Sequence, residues 1–194
     1  DGRSDAPDDP DPTVSILGDV TIDGTGSMSV TAQVNNACVL AEKGIRITQK
    51  GGTLSVLKTD KLGFAGGAFC ANGAQVEITG GTFAGRTDSD NVAVLSADTI
   101  RVSNANVRVE SEKSPTAFLG KVTLENAVVS ARSHTGNSAK VSAGYENAAA
   151  LGTSVTQTGV TWKTLLPFAD VTAEELAYDD VAYCVERGWL KGVS

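Results

Sequence analysis

The stretch VEITGGTFAG, residues 76–85, alternates apolar and polar side chains, breaks at Gly80-Gly81, and resumes the alternation at once. A period of two marks a strand with one buried face, and a glycine pair marks a tight corner. The same layout returns in IRVSNANVRV, residues 100–109, and in VTLENAVVSA, residues 122–131. A hairpin would account for one such pair, whereas a recurring pair calls for a repeated structural unit. Aligned on the VEI element, an apolar slot recurs at Ile22, Ile47, Ile78, Val102, Leu124 and Val155. A second apolar stretch precedes it, as CVLA at 38–41, AFCA at 68–71, AVLS at 93–96, AFLG at 117–120 and AALG at 149–152. A third follows the slot, at Phe83, Val107, Val129 and Val160.

Two residues after the slot stand Gly80, Asn104 and Asn126. Glycine and asparagine tolerate a left-handed backbone best, so one and the same bend is expected at each of these corners. Three short strands per unit, Gly and Asn corners and aliphatic slots in register predict an all-β fold. Its expected form is a right-handed parallel β-helix of about six coils of 22–31 residues, with a single C-terminal α-helix. Strands of a β-sandwich also recur every ~8–12 residues, but the in-register slots favour the coil. Residues 58–67 and 132–147 lengthen two coils. Such insertions either carry a binding function or are idle extensions of the rigid body.

Three regions follow from composition. Residues 1–13 hold five Asp and three Pro, too polar to bury anything, and read as an acidic solvated tail or linker. Residues 14–166 form the repeat body, and 167–194 a segment of different rhythm. The whole chain carries 16 Lys and Arg against 23 Asp and Glu, a net charge of -7, with no cluster of basic residues. That balance argues against a nucleic-acid partner, whose phosphates need clustered cations. No apolar run approaches the ~18 residues of a membrane span, and the opening DGRSDAPDDPDPT is not a basic-then-apolar leader, so any secretion signal is expected to precede it. Cys38, Cys70 and Cys184 form no CxxC pair and have no histidine nearby, which predicts neither a zinc site nor a disulfide framework.

In the C-terminal segment Thr172 and Glu175 make a capping box. Tyr178, Val181, Ala182 and Val185 follow at helical spacing, and Gly188 stands as a C-cap. An amphipathic helix of about 15 residues is predicted, with Cys184 as a small buried apolar residue. Phe168, Asp170 and Val171 before this helix, Tyr178, Asp179, Val181, Ala182 and Tyr183 on it, and Gly188 and Gly192 after it together resemble the first half of an S-layer homology module. Modules of that family anchor proteins to Gram-positive cell walls. The resemblance implies an extracellular, wall-bound location and a wall-polysaccharide partner engaged through the complete anchor. It departs from the family at Leu176, where tryptophan is usual. The T-R-x-E type motif of the second half does not occur in these residues, so wall binding falls to none of them, and the chain reads as a piece cut inside an anchor. The ITGGTF repeat at 78–83 is similar to Gly-Thr repeats of secreted, surface-displayed β-solenoids of anaerobic Gram-positive bacteria. That broad class includes carbohydrate-binding proteins and pectate lyase-like enzymes.

Candidate chemistry is sparse. His134, the single histidine, stands in a polar insertion with no Ser-His-Asp arrangement around it. A lyase of the β-helix type would need a Ca²⁺ cluster of carboxylates beside a basic residue; Asp88, Asp90 and Asp98 near Arg101 are the candidates. Glu77, Arg101 and Thr123 occupy equivalent outward positions and read better as a solvated strand face. Binding of sugar rings calls for exposed aromatics. Phe69, Phe83 and Phe118 occupy strand slots and are expected in the core, Trp162 is expected to cap the last coil, and Phe64 and Tyr145, both in the insertions, remain as the ligand-binding candidates. The expected function is a non-catalytic cell-surface solenoid acting as adhesin, stalk or carbohydrate-binding module, needing no metal or other cofactor. The alternative is a Ca²⁺-dependent polysaccharide lyase or hydrolase, and the glycan could belong to a host or plant.

Overall fold

The computed structural model describes residues 12–32, 37–59, 67–89, 92–111, 114, 116–133 and 148–163, together with Val181 and Cys184. The chain passes through β1 (Val14–Ile16), β2 (Val20–Ile22), β3 (Ser27–Ala32), β4 (Val39–Ala41), β5 (Arg46–Gln49) and β6 (Thr53–Lys58). It continues through β7 (Phe69–Ile78), β8 (Thr82–Thr87), β9 (Leu95–Ser103), β10 (Asn106–Ser111), β11 (Phe118–Glu125) and β12 (Val128–Ser133). A helical turn α1 (Ala148–Leu151) precedes β13 (Ser154–Thr158) and β14 (Thr161–Trp162). All the strand pairings are parallel. One sheet runs β1-β4-β7-β9-β11-β13, with β2 and β5 pairing alongside, and the other runs β14-β12-β10-β8-β6-β3. The chain alternates between them, giving a parallel β-solenoid of about four turns with shorter strands at both ends.

The register shows why these residues stack. In the first sheet Ile22, Gln49, Ile78, Val102, Leu124 and Gln157 share one column. Val20, Ile47, Val76, Ile100, Val122 and Val155 share the next. Ile78, Val102 and Leu124 therefore stand above one another as expected. Ile47 and Val155 instead belong to the neighbouring column, two residues away. A shift of two keeps the side chain on the same face of a pleated strand, so the apolar pattern alone could not detect it. Across the core, Met28, Leu54, Phe83, Val107, Val129 and Trp162 share a column of the second sheet. Trp162 thus takes the place expected for Val160, and its indole Nε1 donates to Gln157 Oε1 at 3.0 Å. Phe69, Phe83 and Phe118 are all buried, their ring centroids 6.5 and 6.0 Å apart across the two sheets. Each such buried aromatic or aliphatic side chain contributes about 1.5–3 kcal/mol.

Three further differences have physical causes. The first two strand segments of each unit do not form separate faces: in β7, β9 and β11 they run on as single strands of one sheet. Only local slips mark the junction, between Ala71 and Gln75 and between Leu119 and Lys121. The cross-section therefore has two walls where three were expected. The AALG element is the helical turn α1, closed by Gly152 N donating to Ala148 O at 3.0 Å. Its run of alanines favours helix over strand, and Ala150 and Leu151 still reach the core. At the corners, Asn104 and Asn126 do take positive φ, but in the third unit the left-handed residue is Gly81 and not Gly80.

Lys58 was expected to open the first insertion; it is the last residue of β6 and is fully buried. Leu54, Val56 and Lys58 alternate inward, so the strand period carries the lysine inside. No helix among the described residues is long and apolar enough to cross a membrane.

Candidate functional site

Two places collect unusual chemistry. The first is an open groove of about 510 Å³ on the outer face of the first sheet, lined by Ser15, Leu17, Leu40, Ala41, Glu42, Lys43, Cys70 and Asn72. The ladder places Ser15, Leu40 and Cys70 side by side, one from each of β1, β4 and β7. Strand alternation turns Val39 and Ala41 inward, which leaves Leu40 outward and 43% exposed, while Leu17 is 73% exposed. The other side of the groove comes from the interruption between β4 and β5. There Gly44 N donates to Gly73 O at 2.7 Å and Gly73 N to Asp98 Oδ1 at 2.9 Å, tying three successive turns together. A Cβ on Gly73 would lie 2.8 Å from Lys43 Cγ, so the glycine makes room for the lysine stem. Asn72 Nδ2 lies 3.5 Å from Cys70 Sγ. Two leucines with a carboxylate, an ammonium and an amide at the rim suit an aliphatic group or the apolar face of a sugar ring, and the volume is that of small-ligand sites.

The second place lies inside. Ala32, Lys58, Thr87, Ser111 and Ser133 share a column of the second sheet, and all five are buried. The column stands at the strand ends, just before the chain leaves the second sheet. Ser111 Oγ donates to Val92 O at 3.0 Å, and Ser89 N donates to Thr87 Oγ1 at 3.2 Å. These hydroxyls satisfy the backbone of tight corners, and they give a buried ammonium polar surroundings in place of hydrocarbon.

The other sequence candidates are dispersed or lie outside the described residues. Asp88 accepts from Arg86 Nε at 2.8 Å on the second sheet, and Asp98 caps Gly73 on the first. Arg101 pairs with Glu125 at 2.8 Å. The carboxylates offered for a Ca²⁺ site are thus split between two walls, and among the described residues no three His, Cys, Asp or Glu side chains cluster to hold a metal. Asp90 lies outside the described residues. Glu77, Arg101 and Thr123 are register neighbours, as their spacing implied, on an outward column that begins with Thr21 and Thr48 and ends with Thr156. Phe64, Tyr145 and His134 lie outside the described residues, as do Phe168, Asp170, Val171, Tyr178, Asp179, Gly188 and Gly192. Val181 and Cys184 are both helical and half-buried.

Sequence reasoning missed the groove, although its signal was present: Leu40 is an outward leucine at the centre of a strand. Cys38 and Cys70 face opposite sides of the first sheet. Cys38 is buried with Sγ 3.2 Å from Leu57 O, Cys70 opens to the groove, and both are free thiols. Comparison with known protein families, with curated proteins and with solved structures found no match.

Proposed function

We propose that this protein is a non-catalytic cell-surface solenoid of a Gram-positive bacterium, acting as adhesin, stalk or carbohydrate-binding module and held at the wall through a complete S-layer homology anchor whose first half the C-terminal segment resembles. The observation that carries the reading is the unbroken parallel stacking from β3 to β14 in the second sheet, with β1 to β13 opposite. A stack of this kind is stiff along its axis, because each turn is hydrogen-bonded to the next, and it lengthens by adding turns. The reading takes the short end strands as the outermost of about six coils wound on a right-handed path, the hand that twisted parallel strands favour. The groove at Leu40 and Lys43 offers the ligand contact, and the insertions with Phe64 and Tyr145 offer a second. The wall-anchor part of the reading rests on Phe168, Asp170, Val171, Tyr178, Asp179, Val181, Gly188 and Gly192 and on the predicted helix that bears the middle three.

The deciding experiment incubates the protein with pectins, xylans and isolated Gram-positive wall polysaccharide, with and without Ca²⁺, and in parallel applies it to a glycan array. Retention of a glycan without new reducing ends is the expected result, weakened by Leu40→Ala/Lys43→Ala. Unsaturated or shortened products would overturn the reading in favour of a β-helix lyase or hydrolase.

A further inference from the structure

The two ends of the solenoid are built differently from its middle. Of the interior strands β4 to β12, only β4 lacks a charged residue, whereas β1, β2, β3, β13 and β14 carry none, and none of these five contains proline. Charges and prolines keep an open strand edge from pairing with another chain, so both are missing where the edges are open. Among the described residues β2 pairs only with β5, β3 only with β6, β13 only with β11 and β14 only with β12. At the N-terminal end the inward Val14, Ile16, Val20 and Ile22 are only half-buried and Met28 is 42% exposed, while Ile47 and Leu54, one turn further in, are 2% and 3% exposed. Lys50 N and Thr79 N donate to the turn before, to Ile22 O at 2.8 Å and to Gln49 O at 2.7 Å. By the same alternation Thr21 turns its N–H toward the N-terminal opening, and Gln157, in the column of Gln49, turns its own toward the C-terminal one.

From these observations we propose that the two ends join between copies, the first turn of one chain continuing the ladder of the last turn of another, so that the chains assemble head to tail. The columns continue across such a junction. Val20 follows Val155 and Ile22 follows Gln157 in the first sheet, while Ser27 follows Thr161 and Met28 follows Trp162 in the second. Thr21 extends the outward column that ends in Thr156, whose Oγ1 donates to Thr123 Oγ1 at 3.3 Å within one chain. β1 meets no strand, because α1 stands at the equivalent place, where Ala117 N donates to Ala150 O at 3.0 Å. Charge selects the orientation. The described residues of the first turn, 12–32, bear Asp19 and Asp23 as their only charges, so two N-terminal ends face to face would set carboxylate against carboxylate, whereas the described residues of the last turn, 148–163, hold none. A head-to-tail contact does not close on itself, and its product is an open filament. The junction needs neither a glycan in the groove nor attachment to a wall.

The test follows the mass of the full chain by sedimentation velocity between about 10 µM and about 1 mM, the range in which small interfaces associate. The native chain is expected to pass beyond the mass of a dimer as its concentration rises. Thr21→Pro removes the N–H at one open edge and Gln157→Pro that at the other, the latter also losing the exposed bond from Trp162 Nε1. Each variant alone should stay monomeric, and an equimolar mixture should give a complex of two chains and no larger, because one intact end of each kind remains. A native chain that stays monomeric throughout overturns the proposal, since its ends are then closed by the chain itself. A dimer of Gln157→Pro alone, joined through N-terminal ends, overturns it too, as does a dimer of Thr21→Pro alone, joined through C-terminal ends. A mixture that stays monomeric while circular dichroism shows native strand content in both variants has the same force.

Discussion

Asn104 and Asn126 occupy the same place in successive corners and share a left-handed backbone, with φ of 51° and 49°. Each donates its backbone N–H to the next turn, Asn104 to Glu125 O at 3.0 Å and Asn126 to Thr158 O at 2.9 Å. The corner is therefore part of the ladder between turns, and its conformation cannot relax without breaking a hydrogen bond.

Replacing either asparagine by alanine should cost about 1 kcal/mol, the penalty of a Cβ in left-handed backbone without a polar side chain to compensate. Asn104→Gly and Asn126→Gly should leave stability within ~0.5 kcal/mol of the native chain. Urea unfolding midpoints compare the two series; equal midpoints for alanine and glycine would show that the bend carries no strain.

Gln49 stands in the column of Ile22, Ile78 and Val102, buried. Its Nε2 donates to Thr82 O at 2.9 Å, but its Oε1 is buried without a partner. An orphaned buried carbonyl costs ~1–3 kcal/mol, which exceeds the net worth of the one good hydrogen bond. Gln49→Leu is expected to raise stability by about 1 kcal/mol, read as a higher urea midpoint with an unchanged slope.

Gly85 faces inward between Val56 and Val109, and a Cβ there would collide with Val94 Cγ1 from the facing wall. Gly85→Ala should destabilise by ~1–3 kcal/mol through overpacking. Val94→Ala should recover part of that loss. A double-mutant cycle returning no coupling between the two sites would mean that the wall shifts to accommodate the methyl group.

Arg101 and Glu125 pair at 2.8 Å, but both side chains are largely in water, 56% and 41% exposed. Arg101→Ala should cost less than ~1 kcal/mol, and less still in high salt. Glu110→Gln, which removes the charge facing Arg132 in a pair whose side chains are only 16% and 17% exposed, should cost more, about 2 kcal/mol, and respond less to salt. Chemical denaturation at two salt concentrations separates the two cases.

Cys70 should react with a thiol reagent in the native protein while Cys38 reacts only on unfolding, because the two face opposite sides of one sheet. No disulfide between them should form under oxidising conditions. A peptide map showing that link would require the sheet to open.

Period-two alternation, the Gly and Asn corners and the spacing of Ile78, Val102 and Leu124 are local properties of the chain. They were enough to predict parallel stacking, the buried Phe69, Phe83 and Phe118, and the shared outward column of Glu77, Arg101 and Thr123. Local pattern determines which face a side chain occupies, because the pleat ties face to parity. It cannot determine which of two same-face positions lies above which, and so Ile47 and Val155 fell one column away. Tertiary structure alone decided that two segments merge into a single wall, that Gly81 and not Gly80 turns its corner, that Lys58 ends inside, and that Leu17, Leu40 and Cys70 from separate turns frame one groove. Each of those outcomes depends on hydrogen bonds and contacts between residues more than twenty positions apart, whose energies no single turn of the chain contains.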